Sequence, residues 1–404
     1  MRLRGLMEPL ITSTEFSEIK SNIQNNKFPL AIYGLSDSGR SYFINSIYEE
    51  DDRPLVIIAH SDMEAKNIYE DLSFYSLDVY YFPVREVVFY NIDAISGDLR
   101  WARLKVIKEI LNTKKKIIVT SIEAFASNYT PREYYKNHII KLKVEKEVDF
   151  KEISRILVES GYERVEMVEG KGEFALRGGI LDVFPIDEEY PYRIELFGDE
   201  IDSIRRFNVE SQRSIDKVKK LEIFPAKEII IDNNIVKESS EKIRKELVES
   251  VNKISDIDLK SKLSSTINRN IEGLENLLGF ETMDSYLPFF YDKMESFFDY
   301  LKNYRFILDD TERSIGKLNS TYIEFRENFT MFLEKGNILP SQAKLLMDEE
   351  KVIEKLEASE IITMDIFAKT REYLKPHSLV NLKQITLHNY QGQLEILIEE
   401  IKAK

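Results

Sequence analysis

The sequence of 404 residues contains no cysteine and only four histidines. The absence of cysteine excludes disulfide bonds, thiolate metal sites and cysteine nucleophiles, and it fits a cytoplasmic protein. The histidines are scattered singly along the chain, at His60, His138, His377 and His388. Because zinc ligands recur at short, regular spacings, this distribution predicts no zinc site.

Long apolar runs are also missing from the sequence. No stretch approaches the roughly 20 apolar residues that a membrane-spanning helix needs, and the first residues, Met1–Gly5, lack the apolar core of a signal peptide. We therefore expect a soluble chain with no membrane association. Its length and its 43% apolar content are enough for two or three globular domains.

The sequence has fewer basic than acidic residues, 57 against 71, and its formal net charge is -14. Such a balance argues against a protein whose whole surface binds nucleic acid. The densest basic stretch, residues 100–116, includes Arg103 and Lys108, but Leu104 and Ile107 mark an apolar helix face opposite them. We interpret the basic side chains as the solvated face of an amphipathic helix, with a local DNA-binding stripe as the alternative.

A glycine-rich segment follows the first apolar run. It reads Gly34-Leu-Ser-Asp-Ser-Gly39-Arg40-Ser41 and lies between a predicted strand and a predicted helix. This is the context of a phosphate-binding loop, in which backbone N–H groups surround phosphates and a lysine reaches the terminal ones. Arg40 occupies the lysine position, and its planar guanidinium does not replace a compact ammonium. The segment predicts a degenerate nucleotide loop, formed by Gly34, Gly39, Arg40 and Ser41.

Strands and helices alternate in the first part of the chain, where short apolar runs such as Leu55–Ala59 are separated by helical stretches. Alternation predicts an α/β fold: a RecA-like (P-loop NTPase-like) parallel sheet with helices on both faces. Near residue 148, short and closely spaced β segments predict a small inserted α+β domain. The predicted domains are residues 1–147, the first part of the RecA-like domain; 148–225, the insertion; 226–375, the second part of the RecA-like domain; and 376–404, a linker and the start of a further, truncated domain.

A later apolar strand ends in two carboxylates, Asp309 and Asp310. A motor ATPase holds Mg²⁺ with an acidic residue at such a strand end, usually followed by a glutamate that polarises the attacking water. Asp310 is one methylene shorter than that glutamate, and in the alternative interpretation it caps the helix that begins at Thr311. Together with Arg40, the pair predicts a degenerate Walker B-like element, and we expect no catalytic residue, metal site or cofactor in this chain.

The most specific motif lies in the predicted insertion. Residues 174–185, 191–205 and 211–214 read FALRGGILDVFP, PYRIELFGDEIDSIR and SQRS. This ordered series resembles the nucleotide-excision-repair protein UvrB and its relative, the transcription-repair coupling factor (Mfd), over roughly residues 10–375. The stretch between Pro83 and Arg100 is too short for the DNA-clamping hairpin of UvrB, so that stretch and the degenerate loop favour the coupling factor.

The resemblance implies an N-terminal, UvrB-like module that binds the damage-recognition protein UvrA. The family's UvrA-binding residues fall on Arg177, Arg193 and Phe197. The resemblance also implies that domains outside this chain bind RNA polymerase and double-stranded DNA, use ATP and Mg²⁺, and contact this module in the resting protein. We expect a monomeric, non-catalytic adaptor; the alternative is an active UvrB-type ATPase and DNA-damage clamp.

The residues of the motif support a binding role on their own. Alternation along the predicted strand Arg193–Phe197 places Arg193 and Phe197 on the face away from the core, and arginine and aromatic side chains are typical interface anchors. In the alternative interpretation, Arg193 pairs with Glu195 or Asp199 and Phe197 packs under a loop.

Overall fold

A computed structural model describes residues 4–35, 37–85, 97–112, 114–276 and 282–382, together with the isolated residues 395, 398, 399 and 402. Within these residues, no helix has both the length and the apolarity needed to cross a membrane. Most of the predicted linker and further domain, residues 376–404, and most of the stretch between Pro83 and Arg100 lie outside the described residues.

The first segment alternates helices and strands. Its elements are α1 (Arg4–Ile11), α2 (Thr14–Gln24), β1 (Leu30–Tyr33), α3 (Asp37–Glu50), β2 (Leu55–Ala59), α4 (Asp62–Ser73), β3 (Val79–Phe82), α5 (Gly97–Leu111), β4 (Ile117–Ser121), α6 (Ile122–Ala126), β5 (Asn128–Tyr129), α7 (Arg132–Asn137) and β6 (Ile140–Lys143).

The middle segment is rich in strands. Its elements are α8 (Phe150–Glu159), β7 (Glu163–Arg164), β8 (Glu173–Arg177), β9 (Ile180–Val183), β10 (Tyr192–Phe197), β11 (Glu200–Phe207), β12 (Ser214–Val218) and β13 (Lys220–Ile223).

The last segment begins with long helices and then returns to alternation. Its elements are α9 (Asn233–Lys253), α10 (Ile257–Glu275), a 3₁₀ turn (Met283–Tyr286), α11 (Leu287–Phe290), β14 (Glu295–Ser296), α12 (Phe297–Tyr300), β15 (Arg305–Asp309), α13 (Thr311–Glu334), a second 3₁₀ turn (Pro340–Leu345), α14 (Glu349–Glu357), β16 (Ile361–Asp365) and β17 (Ser378–Asn381).

Seven of the described strands form one parallel sheet in the order β17-β1-β16-β15-β2-β4-β3. Its central strands are continuous apolar runs because both faces are covered. In β2, for example, Ile57 packs into the core on one face, and Val56 and Ile58 pack into the core on the other. The predicted α/β, RecA-like fold is therefore confirmed.

One predicted boundary of that sheet is wrong. The predicted linker and further domain begin at residue 376, but Ser378–Asn381 form β17, which pairs in parallel with β1 at the edge of the sheet. The strand is short, and only Val380 in it is buried. Its assignment therefore depends on pairing with residues almost 350 positions earlier, which no local pattern reveals.

Six of the described strands form the sheet of the insertion, in the order β12-β11-β10-β9-β8-β7. Neighbouring strands are antiparallel except β7 and β8. Before and after this sheet, the chain passes through β6 and β13, which pair with each other. Phe174, Leu181 and Ile194 point from one face into the main core. The opposite face of β8, β9 and β10 carries charged side chains.

Helix α5 differs from its prediction. Arg103 is buried, and it donates from Nε and Nη2 to Oε1 and Oε2 of Glu228 at 2.7 and 2.8 Å. Lys108 pairs with Asp187 of the insertion, and Lys116 is buried. The prediction of a solvated basic face is thus wrong for Arg103 and Lys108, because the insertion and the segment that follows it pack against the basic side of the helix. Lys116 lies beyond the helix, and it donates to the backbone oxygens of Glu109 and Asn112.

Candidate functional site

The loop after β1 begins at Gly34, which has a φ of 85°. A Cβ atom at this position would come within 2.4 Å of the backbone oxygen of Leu382, just after β17. The Gly34 N–H donates to the backbone oxygens of Asp365 and Ile366, both at 3.2 Å. The start of the loop is therefore covered by neighbouring backbone, and this N–H is not available to a phosphate.

Arg40 lies in the first turns of α3, at the predicted lysine position. Its Nη1 donates to Oδ2 of Asp309 at 2.6 Å, and its Nη2 donates to Oε1 of Glu64 at 2.9 Å. The Arg40 side chain is 17% exposed and that of Asp309 only 1%. Burial raises the pKa of Asp309, and the neighbouring guanidinium opposes that rise. The carboxylate predicted to hold Mg²⁺ is thus neutralised from within the protein.

Asp310 has a different structural role from Asp309. It adopts the left-handed conformation, with a φ of 46°, and its side chain accepts a hydrogen bond from the backbone N–H of Arg313 at 3.2 Å. Asp310 therefore caps the helix that begins at Thr311, as the alternative interpretation predicts. The hydroxyl of Ser41, which in a working loop would bind Mg²⁺, instead donates to Asp71 at 3.3 Å.

A cavity of about 150 Å³ remains between these residues. Its lining includes four carboxylates and two guanidinium groups; the carboxylates belong to Glu64, Asp309, Asp310 and Asp365. Small-molecule sites usually occupy at least about 300 Å³, and a triphosphate is repelled by an excess of carboxylates. Among the described residues, no three such groups are arranged to hold a metal ion. The residues present therefore do not fit a nucleotide with Mg²⁺.

The other predicted site lies on the outer face of the inserted sheet. Arg177 ends β8, Asp182 lies in β9, and Arg193 lies in β10 directly opposite Asp182. Arg177 donates from Nη2 to Oδ2 of Asp182 at 2.7 Å, and Arg193 donates from Nε and Nη2 to its two oxygens at 2.7 and 2.9 Å. The structure thus brings both predicted arginines together around one carboxylate. We call this group and Phe197 the docking face.

Further contacts fix the guanidinium of Arg193. Its Nη2 also donates to Oε1 of Gln212 at 3.2 Å, and its plane lies 4.7 Å from the ring centre of Phe207. Hydrogen bonding to Asp182 raises the pKa of Arg193. The alternative pairing with Glu195 or Asp199 is wrong, because Arg193 pairs with Asp182, and Glu195 accepts from Arg205 at 2.8 Å.

Phe197 ends β10 at a tight hairpin that continues through Gly198, which has a φ of 66°. Its side chain is 85% exposed, so the alternative in which it packs under a loop is wrong. Ile180, in the neighbouring strand, is also exposed. Phe197 and Arg193 lie on the same face of β10, and exposed aromatic and arginine side chains are the composition that binding hot spots favour.

Sequence reasoning missed Asp182, although its side chain is only 1% exposed. A signal was present: Asp182 is a lone carboxylate in the apolar run Ile180-Leu-Asp-Val183, and a buried carboxylate needs a cationic or hydrogen-bonding partner. Which partner it finds depends on strand register, since Arg193 lies opposite it only when β9 and β10 pair as they do.

The insertion is similar to a known family of domains. A family described as the UvrB interaction domain matches residues 140–229, which include the whole docking face. Over 393 residues, 96% of this chain, the sequence is 31% identical to the transcription-repair-coupling factor of Bacillus subtilis (strain 168). The insertion thus matches the UvrB interaction domain, and the chain as a whole is similar to the transcription-repair-coupling factors.

Two transcription-repair-coupling factors from other bacteria are also similar to this chain. The transcription-repair-coupling factor of Staphylococcus aureus (strain MRSA252) is 26% identical over 374 residues, and that of Staphylococcus epidermidis (strain ATCC 12228 / FDA PCI 1200) is 26% identical over 376 residues; each alignment includes 92% of this chain. The chain spans about a third of the length of these relatives: 33% for the Bacillus protein and 32% for each Staphylococcus protein.

Proposed function

We propose that this module is a non-catalytic adaptor that binds UvrA through the docking face and thereby serves transcription-coupled nucleotide excision repair. The observation that carries the proposal is the cluster of Arg177 and Arg193 around Asp182, on the sheet face where the ring of Phe197 is exposed. The cluster lies within the segment that matches the UvrB interaction domain. By presenting the same surface as UvrB, the module would bring UvrA to a stalled RNA polymerase.

The chemistry of the docking face supports an acidic partner surface with an apolar pocket. The side chain of Arg177 is 52% exposed, and only its Nη2 is engaged with Asp182 in the structure. Its remaining donors can bind a partner carboxylate, and such charge-assisted hydrogen bonds are stronger than neutral ones. Phe197 can insert into an apolar pocket, where the ring would lose its contact with water.

Calorimetric titration of UvrA tests this assignment. Loss of one anchor costs about 2 kcal/mol, so the variant with both Arg177→Ala and Phe197→Ala should bind about a thousandfold more weakly. The matched control is Phe74→Ala, which removes a phenylalanine that is 81% exposed after α4, outside the insertion. Undiminished binding by the double variant would remove the site assignment.

We further propose that the loop at Gly34 has no nucleotide-dependent activity. The guanidinium of Arg40 pairs with Asp309, and the backbone after β17 covers Gly34. A fluorescent ATP analogue should therefore show no saturable binding to the wild type, and Arg40→Lys should not restore it, because Gly34 stays covered. Micromolar affinity that Arg40→Ala abolishes would instead favour the alternative, a UvrB-type ATPase and DNA clamp.

Functions of the remaining parts of the full-length relatives are proposals of the same kind. We infer that polymerase binding, double-stranded DNA binding and ATP-driven translocation with Mg²⁺ belong to parts of a longer protein, since the module spans only about a third of its relatives. Those parts could also cover the docking face in the resting protein. Comparing UvrA affinity for the module and for the full-length protein tests this: equal affinities would exclude such masking.

A further inference from the structure

One buried carboxylate organises the docking face. Asp182 accepts three hydrogen bonds from two arginines that belong to different strands, Arg177 in β8 and Arg193 in β10. On the outer face of the sheet, Asp182 in β9 therefore has a guanidinium group on each side, one from β8 and one from β10. Without a carboxylate between them, two like charges in this position would repel each other and separate.

We infer that Asp182 is the positioning residue of the docking face: it holds Arg177 and Arg193 so that together they receive one acidic side chain of the partner. The inference rests on the proposed function, because it assigns Asp182 a role in the same binding event. Asp182 is too buried to touch the partner itself, so it acts through the arginines.

The geometry shows how the positioning works. The bidentate pair uses Nε and one N–H of Nη2 of Arg193, and Gln212 accepts from Nη2 as well. The ring of Phe207 supports the plane of this guanidinium from one side. These contacts fix the rotamer and direct Nη1 away from Asp182. A side chain that is ordered before binding loses less conformational entropy when the partner arrives.

The same contacts predict different tasks for the two arginines. Arg193 is mostly buried and engaged on three sides, whereas half of the Arg177 side chain is exposed. We therefore expect Arg177 to provide most of the direct contact with the partner carboxylate. Arg193 contributes its charge and a single open edge. The two arginines act as a unit only while the carboxylate of Asp182 lies between them.

The test compares Asp182→Asn with the wild-type module in calorimetric titrations of UvrA. This substitution keeps the shape of the side chain but removes its charge, and we expect about tenfold weaker binding. Asp216→Asn is the matched control. It breaks another bidentate Asp–Arg pair of the same sheet, in which Arg206 donates to Asp216 from Nε at 2.8 Å, away from the docking face. This control should bind UvrA with unchanged affinity.

A double-mutant cycle separates positioning from a general structural role. If Asp182 acts through Arg177, then Arg177→Ala should weaken binding much less in the Asp182→Asn background than in the wild type. Additive effects would overturn the inference. The Nε–H resonance of Arg193 in NMR spectra gives a second readout, since it should be sharp and protected in wild type and Asp216→Asn but lost in Asp182→Asn.

A milder variant keeps the inference testable if Asp182→Asn does not fold. Gln212→Asn shortens the acceptor on the surface loop beyond the reach of Arg193, and asparagine tolerates the φ of 56° at that position. Two- to threefold weaker binding supports positioning, and unchanged binding contradicts it. If Phe197→Ala weakens binding but neither positioning variant does, only this inference fails; if Phe197→Ala also has no effect, the proposed function fails.

Discussion

The pair of Arg40 and Asp309 makes a strong prediction about stability. Arg40→Ala should leave the buried carboxylate of Asp309 without the cation that it pairs with in the wild type. Removing one partner of a fully buried ion pair costs about 3–5 kcal/mol. Because the Arg40 side chain is partly exposed, water can enter in its place, and we expect the free energy of unfolding to fall by about 2 kcal/mol.

Urea denaturation at neutral pH measures this loss. The double variant with Arg40→Ala and Asp309→Asn should regain more than half of it, because an amide has no charge to leave unpaired. Arg155→Ala is the matched control, since this arginine also pairs with two glutamates but lies on the exposed face of α8. It should change stability little, because exposed ion pairs contribute little.

Acidification gives the same prediction a second test. Burial already places the pKa of Asp309 above its unfolded value, and removal of Arg40 should raise it further. An acid with a raised folded pKa destabilises the protein when ionised, and that cost disappears as the pH falls through the folded pKa. The difference in the free energy of unfolding between Arg40→Ala and wild type should therefore narrow as the pH is lowered from neutral. A difference that stays constant, or no recovery with Asp309→Asn, would refute the reasoning.

Three further predictions concern the rest of the molecule. Burial lowers the pKa of Lys227 to about 8, so its charge opposes folding most strongly below that pH. Lys227→Met should therefore stabilise the protein in urea denaturation at pH 7, and this gain should fade as the pH rises from about 8 to 10.5. Gly34→Ala should lower the melting temperature, because of the positive φ and the 2.4 Å approach to backbone, and unchanged melting would contradict that geometry. Glu228→Gln should lower the free energy of unfolding by about 3 kcal/mol, because it leaves the buried guanidinium of Arg103 without its charged partner. A loss below about 1 kcal/mol would show that water reaches the pair.

The parallel sheet was predictable because its strands are buried on both faces, which leaves continuous apolar runs such as Leu55–Ala59 in the sequence. The outward direction of Arg193 and Phe197 was also predictable, since strand alternation depends only on neighbouring residues. Capping by Asp310 was predictable as an alternative for the same reason, because the helix signal that follows it is local.

The ion pairs that depend on the assembled fold could not be predicted from the sequence. Arg40 and Asp309 are 269 positions apart, and Arg103 and Glu228 are 125 apart, so only the assembled layers bring each pair together. Helix periodicity distinguishes an apolar face from a polar one. It does not reveal that the polar face of α5 is itself covered by another part of the chain, where a charge must find a specific partner.

Hydrogen exchange of this module, measured with and without UvrA, tests the central claim most directly, because it reports on the closed nucleotide loop and the docking face in one experiment. We predict that UvrA slows exchange across residues 177–197 of the inserted sheet and leaves residues 34–41 unchanged. Protection of residues 34–41 without any change in residues 177–197 would contradict the account.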